Sequence, residues 1–181
     1  NLFPLFGDRR CRMRNDVDIG ACRGMIKIRI VAVGKVKEKY FSEAVAEYSK
    51  RLSRFCDFSI VEVKEKNYDK APPAAIEKIL SAEGERIEKS IKGLPVCLAI
   101  EGKKISSEEL AKFIKDKTDG GTGEITFIIG GSYGIDGRIK GQCRDKISFS
   151  AMTFPHTLAR VMLAEQIYRA FTIIAGAEYH K

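Results

Sequence analysis

FIIGGSYGID, Phe127 to Asp136, runs from an apolar stretch straight into two adjacent glycines. Read with the residues just before it, EITFII (124–129) is a buried strand that stops at a loop needing backbone freedom. Upstream, LPVCLAIEG (Leu94–Gly102), FSIVEVK (Phe58–Lys64) and IKIRIVAVG (Ile26–Gly34) are further strand-like runs. Downstream, KISFS (146–150) is a fifth. Between them lie stretches of helical period. KYFSEAVAEYSKRLSRF (Lys39–Phe55) places Phe41, Ala44, Val45, Tyr48 and Leu52 on one side. AAIEKILSAEGERIEKSI (74–91) follows two prolines, although Gly84 weakens it by about 1 kcal/mol relative to Ala. ISSEELAKFIKDK (105–117) opens with Ser106 and Glu109 at capping-box spacing. IDGRIKGQCR has room only for a short helix, and HTLARVMLAEQIYRAFTIIAG (156–176) is a long final one. Strands alternating with helices predict an α/β domain with a mostly parallel sheet covered on both faces. Ligands of such sheets sit beyond the carboxyl ends of the strands, where the glycine loop falls.

At 181 residues the chain suits one domain with a sizeable core. Residues 1–24 show neither helical nor strand period, so they are expected to be an N-terminal extension, disordered or non-native, with 25–181 as the domain. A formal charge of +8 and a pI near 9.3 favour a polyanionic partner, as fixed cations displace phosphate counterions. No apolar run reaches the roughly 18 residues that cross a bilayer. Cys11, Cys22, Cys56, Cys97 and Cys143 form no CxxC pair and have no adjacent histidine, so no metal is expected and a reducing, cytoplasmic compartment fits. Cys97 reads as a small core residue.

Gly130, Gly131, Gly134 and Gly137 suggest a phosphate cradle, but neither GxxxxGK[ST] nor a GxGxxG opening a long helix is present. Plain turn chemistry remains open for these glycines. The second post-strand loop, SFSAMTFPH, supplies Ser148, Ser150 and Thr153 hydroxyls beside Phe149, Met152 and Phe154. An apolar slot with a few placed polar groups suits a neutral or cationic adenosyl ligand. A structural turn with Pro155 starting the helix is the competing reading. The last helix is apolar nearly all round, interrupted chiefly by Arg160, Glu165, Gln166 and Arg169, which predicts burial on more than one side and a twofold homodimer. Both histidines, His156 and His180, fall in this last part of the chain.

With KIRIVAVGK, FIIGGSYG, SFSAMTFPHTLARVMLAEQIYRAF and the terminal YHK in order, residues 25–181 resemble the RlmH family of SPOUT-class methyltransferases, which modify N3 of a pseudouridine in 23S ribosomal RNA. The resemblance implies a C-terminal trefoil knot, a homodimer and S-adenosylmethionine as cofactor. It implies a cofactor site of Leu98, Gly130, Gly131, Phe149, Ser150, Ala151, Met152, Thr153 and Phe154. It also implies a substrate presented within the ribosome rather than as naked RNA. Tyr179 and His180 are expected to close over cofactor and target base, with His180 or His156 as base and Arg169, with Arg160, holding phosphate or uracil carbonyls. Two other readings stand beside it: a flavin- or nicotinamide-nucleotide enzyme, and a ribosome-binding factor without catalysis.

Overall fold

The structure, a computed structural model, describes residues 24–66 and 72–176. Among these residues, β1 (Lys27–Val33), β2 (Asp57–Val63), β3 (Leu94–Lys104), β4 (Glu124–Ile129) and β5 (Asp145–Ser148) form one parallel sheet in the order β2-β1-β4-β3-β5. The connections carry α1 (Lys39–Leu52), α2 (Pro73–Ser90), α3 (Ser107–Asp119), α4 (Gly137–Gln142) and α5 (His156–Ile174). Strand side chains alternate between the faces. Ile28, Ile30 and Ala32 of β1, with Ile125, Phe127 and Ile129 of β4, meet Leu52 of α1, Leu110 and Ile114 of α3, and Leu163 and Ile167 of α5. Val31, Val33 and Ile128 point the other way, onto Ile87 of α2 and Ile139 of α4. Both faces are thus dry, which explains why β1 and β4 read as nearly continuous apolar runs.

Two apparent misfits inside the core have a structural reason. Thr126, fully buried in β4, donates from Oγ1 to the Lys92 carbonyl and accepts from the Lys92 N–H at 3.1 Å, so its hydroxyl carries no desolvation penalty. α2 runs unbroken through Gly84, which is needed because the helix touches the loop after β4: a Cβ there would stand 2.9 Å from Oδ2 of Asp136. Asp136 in turn caps α4, Oδ1 accepting from the Arg138 N–H at 2.7 Å. At α3 the capping box forms as the spacing predicts, with Ser106 Oγ accepting from the Glu109 N–H at 3.2 Å and Glu109 Oε2 accepting from the Ser106 N–H at 2.8 Å. Ser106→Ala is expected to cost about 1 kcal/mol. That should lower the melting temperature by about 2–4 °C in a calorimetric scan.

β3 runs two residues beyond the apolar stretch that marks it in the sequence. Its ladder with β5 breaks: Leu98 and Lys103 both pair with Ile147, so the residues between them leave the sheet. Gly102 permits the return, since a Cβ there would lie 2.7 Å from the Ile147 backbone. This detour raises one wall of a crevice at the carboxyl end of the sheet.

Candidate functional site

Three segments, each following a strand, converge beyond the carboxyl ends of β3, β4 and β5 around a crevice of about 750 Å³. That volume is in the range of small-molecule and cofactor sites. The β3 detour contributes Leu98, Ala99, Ile100 and Glu101; the loop after β4 contributes Gly130 to Ile135; the loop after β5 contributes Phe149, Ser150, Met152, Thr153 and Phe154. All the residues expected from the sequence at the cofactor site line it except Ala151, which is exposed. Ile100 and Met152 are 54% and 63% exposed at its rim, an apolar surface open to a ligand. Lys140 donates from Nζ to Glu101 Oε1 at 2.5 Å across one end, and this ammonium holds the Glu101 carboxyl below the usual carboxylate range.

The glycine loop has a use other than the one its composition suggests. The Gly134 N–H donates to the Gly131 carbonyl at 3.0 Å, closing a turn with φ of +93° at Gly134. A Cβ on Gly130 would lie 2.3 Å from the Gly134 carbonyl oxygen, and one on Gly131 2.9 Å from Cγ1 of Val33. The pair therefore makes room first for the loop's own backbone and for β1, and only through them for a ligand. Hydroxyls of the second loop are likewise partly committed. Ser148 donates to the Ser150 carbonyl and Ser150 Oγ accepts from the Met152 N–H, both at 2.8 Å, so the two serines shape the turn.

His156 begins α5 and lines the crevice. Its Nε2 and Oε2 of Glu65 each lie 3.2 Å from where a Cβ on Gly34 would stand, and Gly34 has φ of +85°. Glu65 also accepts from Ser132 Oγ at 3.0 Å, joining the glycine loop to the chain after β2. Glu83 stands behind that loop, 3% exposed, accepting from the Lys66 N–H at 3.0 Å; burial pushes its pKa up. Sequence reasoning passed over Glu83, yet its place four residues from both Ile79 and Ile87 puts it on the buried stripe of α2.

Arg160 corrects an expectation. It is fully buried, so it cannot reach a phosphate or a uracil carbonyl. Nη1 donates to Glu62 Oε1 at 2.9 Å, and Nη2 donates to the carbonyls of Val33 at 2.6 Å and Gly34 at 2.9 Å. Nε has no partner among the described residues. Burial pulls the guanidinium pKa down, and the Glu62 carboxylate opposes that shift. The side chain ties α5 to the carboxyl ends of β1 and β2. Arg169 lies away from the crevice and donates to Glu165 Oε1 from Nε at 2.9 Å and Nη2 at 2.6 Å. Tyr179 and His180 lie outside the described residues. Among the described residues no group of three or more His, Cys, Asp or Glu could hold a metal ion, and no helix is long and apolar enough to cross a membrane.

A family profile described as "Predicted SPOUT methyltransferase" matches residues 26–180. The chain is 50% identical to ribosomal RNA large subunit methyltransferase H of Streptococcus uberis over 159 residues, 86% of this chain and 100% of that protein. The proteins of the same name from Ligilactobacillus salivarius and Bifidobacterium adolescentis are 51% and 52% identical over the same shares. A crystal structure titled "Probable Methyltransferase" from Bordetella pertussis Tohama I has the same fold, with a TM-score of 0.52 at 15% identity, covering 81% of this chain and 96% of that one. The chain belongs to the SPOUT methyltransferases and, among them, to the family of ribosomal RNA large subunit methyltransferase H.

Proposed function

We propose that residues 25–181 form a single-domain, S-adenosylmethionine-dependent enzyme that methylates N3 of a pseudouridine in large-subunit ribosomal RNA, acting in the cytoplasm on the assembled ribosome. The observation that carries this reading is the convergence of Leu98, Gly130–Gly131 and Phe149–Phe154 on one crevice, in a chain about half identical to methyltransferases along their whole length. The residues present fit the cofactor: Leu98, Ile100, Phe149 and Phe154 offer an apolar slot, and backbone groups of the two loops offer the few polar contacts that orientation requires.

Bound there, S-adenosylmethionine supplies a methyl group on a positively charged sulfur. The chain's own task is to place the target nitrogen in line with that methyl and to take up or stabilise the charge left when N3 loses its proton. His156, which lines the crevice, is one candidate base, and the tail bearing Tyr179 and His180 is the second, closing over the base by stacking and proton transfer. Arg169 anchors RNA from outside the crevice. Ala151 completes the cofactor loop through its backbone. His180→Ala is expected to lower single-turnover methyl transfer by 100-fold or more, the ordinary scale of a lost general base, with affinity for the cofactor within about twofold of the parent. Unchanged turnover removes the tail histidine from the mechanism.

The same reading includes a homodimer and a C-terminal knot. Leu158, Val161 and Met162 of α5 are only half-buried and lie outside both cores, which supports a second copy packing on them. The knot is the resemblance's implication; β5 lying outside β3, with α5 returning to pack on α3 and α1, is compatible with it. Calorimetric titration with S-adenosylmethionine, NAD and FMN separates the cofactor classes: saturable heat with the first alone is expected, and binding of either nucleotide instead would overturn the assignment.

A further inference from the structure

Two of the scattered cysteines meet in the fold. Cys97, in the middle of β3, and Cys143, just after α4, are 0% and 3% exposed, and Cys97 Sγ donates to Cys143 Sγ at 2.7 Å. They lie among Ile128, Ile135 and Ile139, on the sheet face covered by α2 and α4, behind the crevice. A disulfide bond is about 2.05 Å long, so less than an ångström of movement separates this contact from a covalent one. No metal chemistry competes, because no third metal-binding side chain joins them among the described residues.

We propose that Cys97 and Cys143 are a peroxide-oxidisable dithiol that closes into an intramolecular disulfide behind the crevice. Cys143 is the attacking sulfur. The hydrogen bond from Cys97, helped by the Lys146 ammonium, pulls its pKa below the ordinary thiol range, whereas Cys97 is pushed up. The Cys143 thiolate attacks one oxygen of hydrogen peroxide, the O–O bond breaks, and the departing hydroxide takes a proton to become water. The sulfenic acid so formed is attacked by Cys97 sulfur; the S–O bond breaks, the S–S bond forms, and the second oxygen leaves as water with the Cys97 proton. Two thiols lose two electrons and one peroxide becomes two waters.

Access comes through α4. This helix has six residues, two of them glycine, and Gln142 and Arg144 on either side of Cys143 are exposed. So short a helix opens locally at little cost, admitting a molecule as small as peroxide. Cys56, by contrast, is buried in the opposite core with its pKa pushed up to about 12, and is no thiolate at neutral pH. The ring closed by the bond spans Cys97 to Cys143 and so contains Leu98 and the glycine loop, fixing two of the three crevice segments to each other.

The test uses the full chain, reduced, freed of reductant and treated with hydrogen peroxide, then digested without reduction and mapped by mass spectrometry. The expected result is a Cys97 peptide joined to the Cys143 peptide, two hydrogens lighter than the sum of the pair. A rise in melting temperature of about 8–16 °C should accompany it, as expected for a ring of this length, and dithiothreitol should reverse it. Cys143→Ala should abolish both changes. Cys97 and Cys143 peptides that stay reduced, or appear only as sulfinic or sulfonic acids, overturn the proposal, and so does a bond from either one to Cys11, Cys22 or Cys56. The mapping on the unsubstituted chain decides the matter even if the variant fails to fold.

Discussion

Gly130→Ala is expected to lower affinity for S-adenosylmethionine by at least tenfold and to destabilise the fold by about 1–3 kcal/mol, the usual cost of overpacking. The added methyl would lie 2.3 Å from the Gly134 carbonyl oxygen and 2.7 Å from Cγ1 of Ile135. Backbone, not a flexible side-chain end, must therefore give way, and the turn closed by the Gly134 N–H on the Gly131 carbonyl opens. That turn forms one wall of the crevice, so stability and affinity fall together. Gly131→Ala supplies the contrast. Its nearest neighbours are side-chain atoms, Cγ1 of Val33 at 2.9 Å and Oε2 of Glu83 at 3.2 Å, so a shift of a few tenths of an ångström by Val33 suffices and no backbone atom is overlapped. Its loss should be clearly smaller than that of Gly130→Ala in both calorimetric titration and thermal unfolding; equal losses would show that the loop answers to crowding of any kind.

Arg160→Met should unfold more easily by roughly 3 kcal/mol, since it takes a donor from each of two buried carbonyls and leaves the Glu62 carboxylate with only the Val36 N–H, at 3.0 Å. This corresponds to a melting temperature lower by about 6–12 °C. The methionine fills the space but restores no donor to Val33, Gly34 or Glu62. Glu62 keeps a side-chain exposure of 35%, so water recovers part of its loss and the two carbonyls carry most of the effect. Arg160→Lys should recover only part of the stability, because one ammonium cannot reproduce a fork that meets three acceptors. A lysine variant as stable as the parent would mean that charge rather than geometry holds α5 to the strand ends.

Most of the fold is legible in local patterns of sequence. EITFII coincides with β4 from end to end, and the Ser106–Glu109 spacing marks the start of α3. These features depend on residues a few positions apart. The misses depend on distant ones. Arg160 reads as a functional cation in an apolar helix, but its carbonyl partners are 126 and 127 residues away. Cys97 and Cys143, 46 residues apart, share no motif, and only adjacency of β3 to the end of α4 joins them. Gly84 looks like a weak point of α2 until Asp136 is placed against it. The crevice is legible as three post-strand segments, whereas Ile100 and Glu101 are not: they follow from a ladder break between Leu98 and Lys103 that no local period announces.

Methyl transfer itself is the direct test of the functional reading. Ribosomes lacking the modification are incubated with the purified chain and methyl-labelled S-adenosylmethionine, and the large-subunit RNA is digested for nucleoside mass spectrometry. Label in a single N3-methylated pseudouridine is predicted, strongly reduced with Gly130→Ala at the same cofactor concentration. Cofactor binding without any labelled nucleoside, or label on a different base, would contradict it.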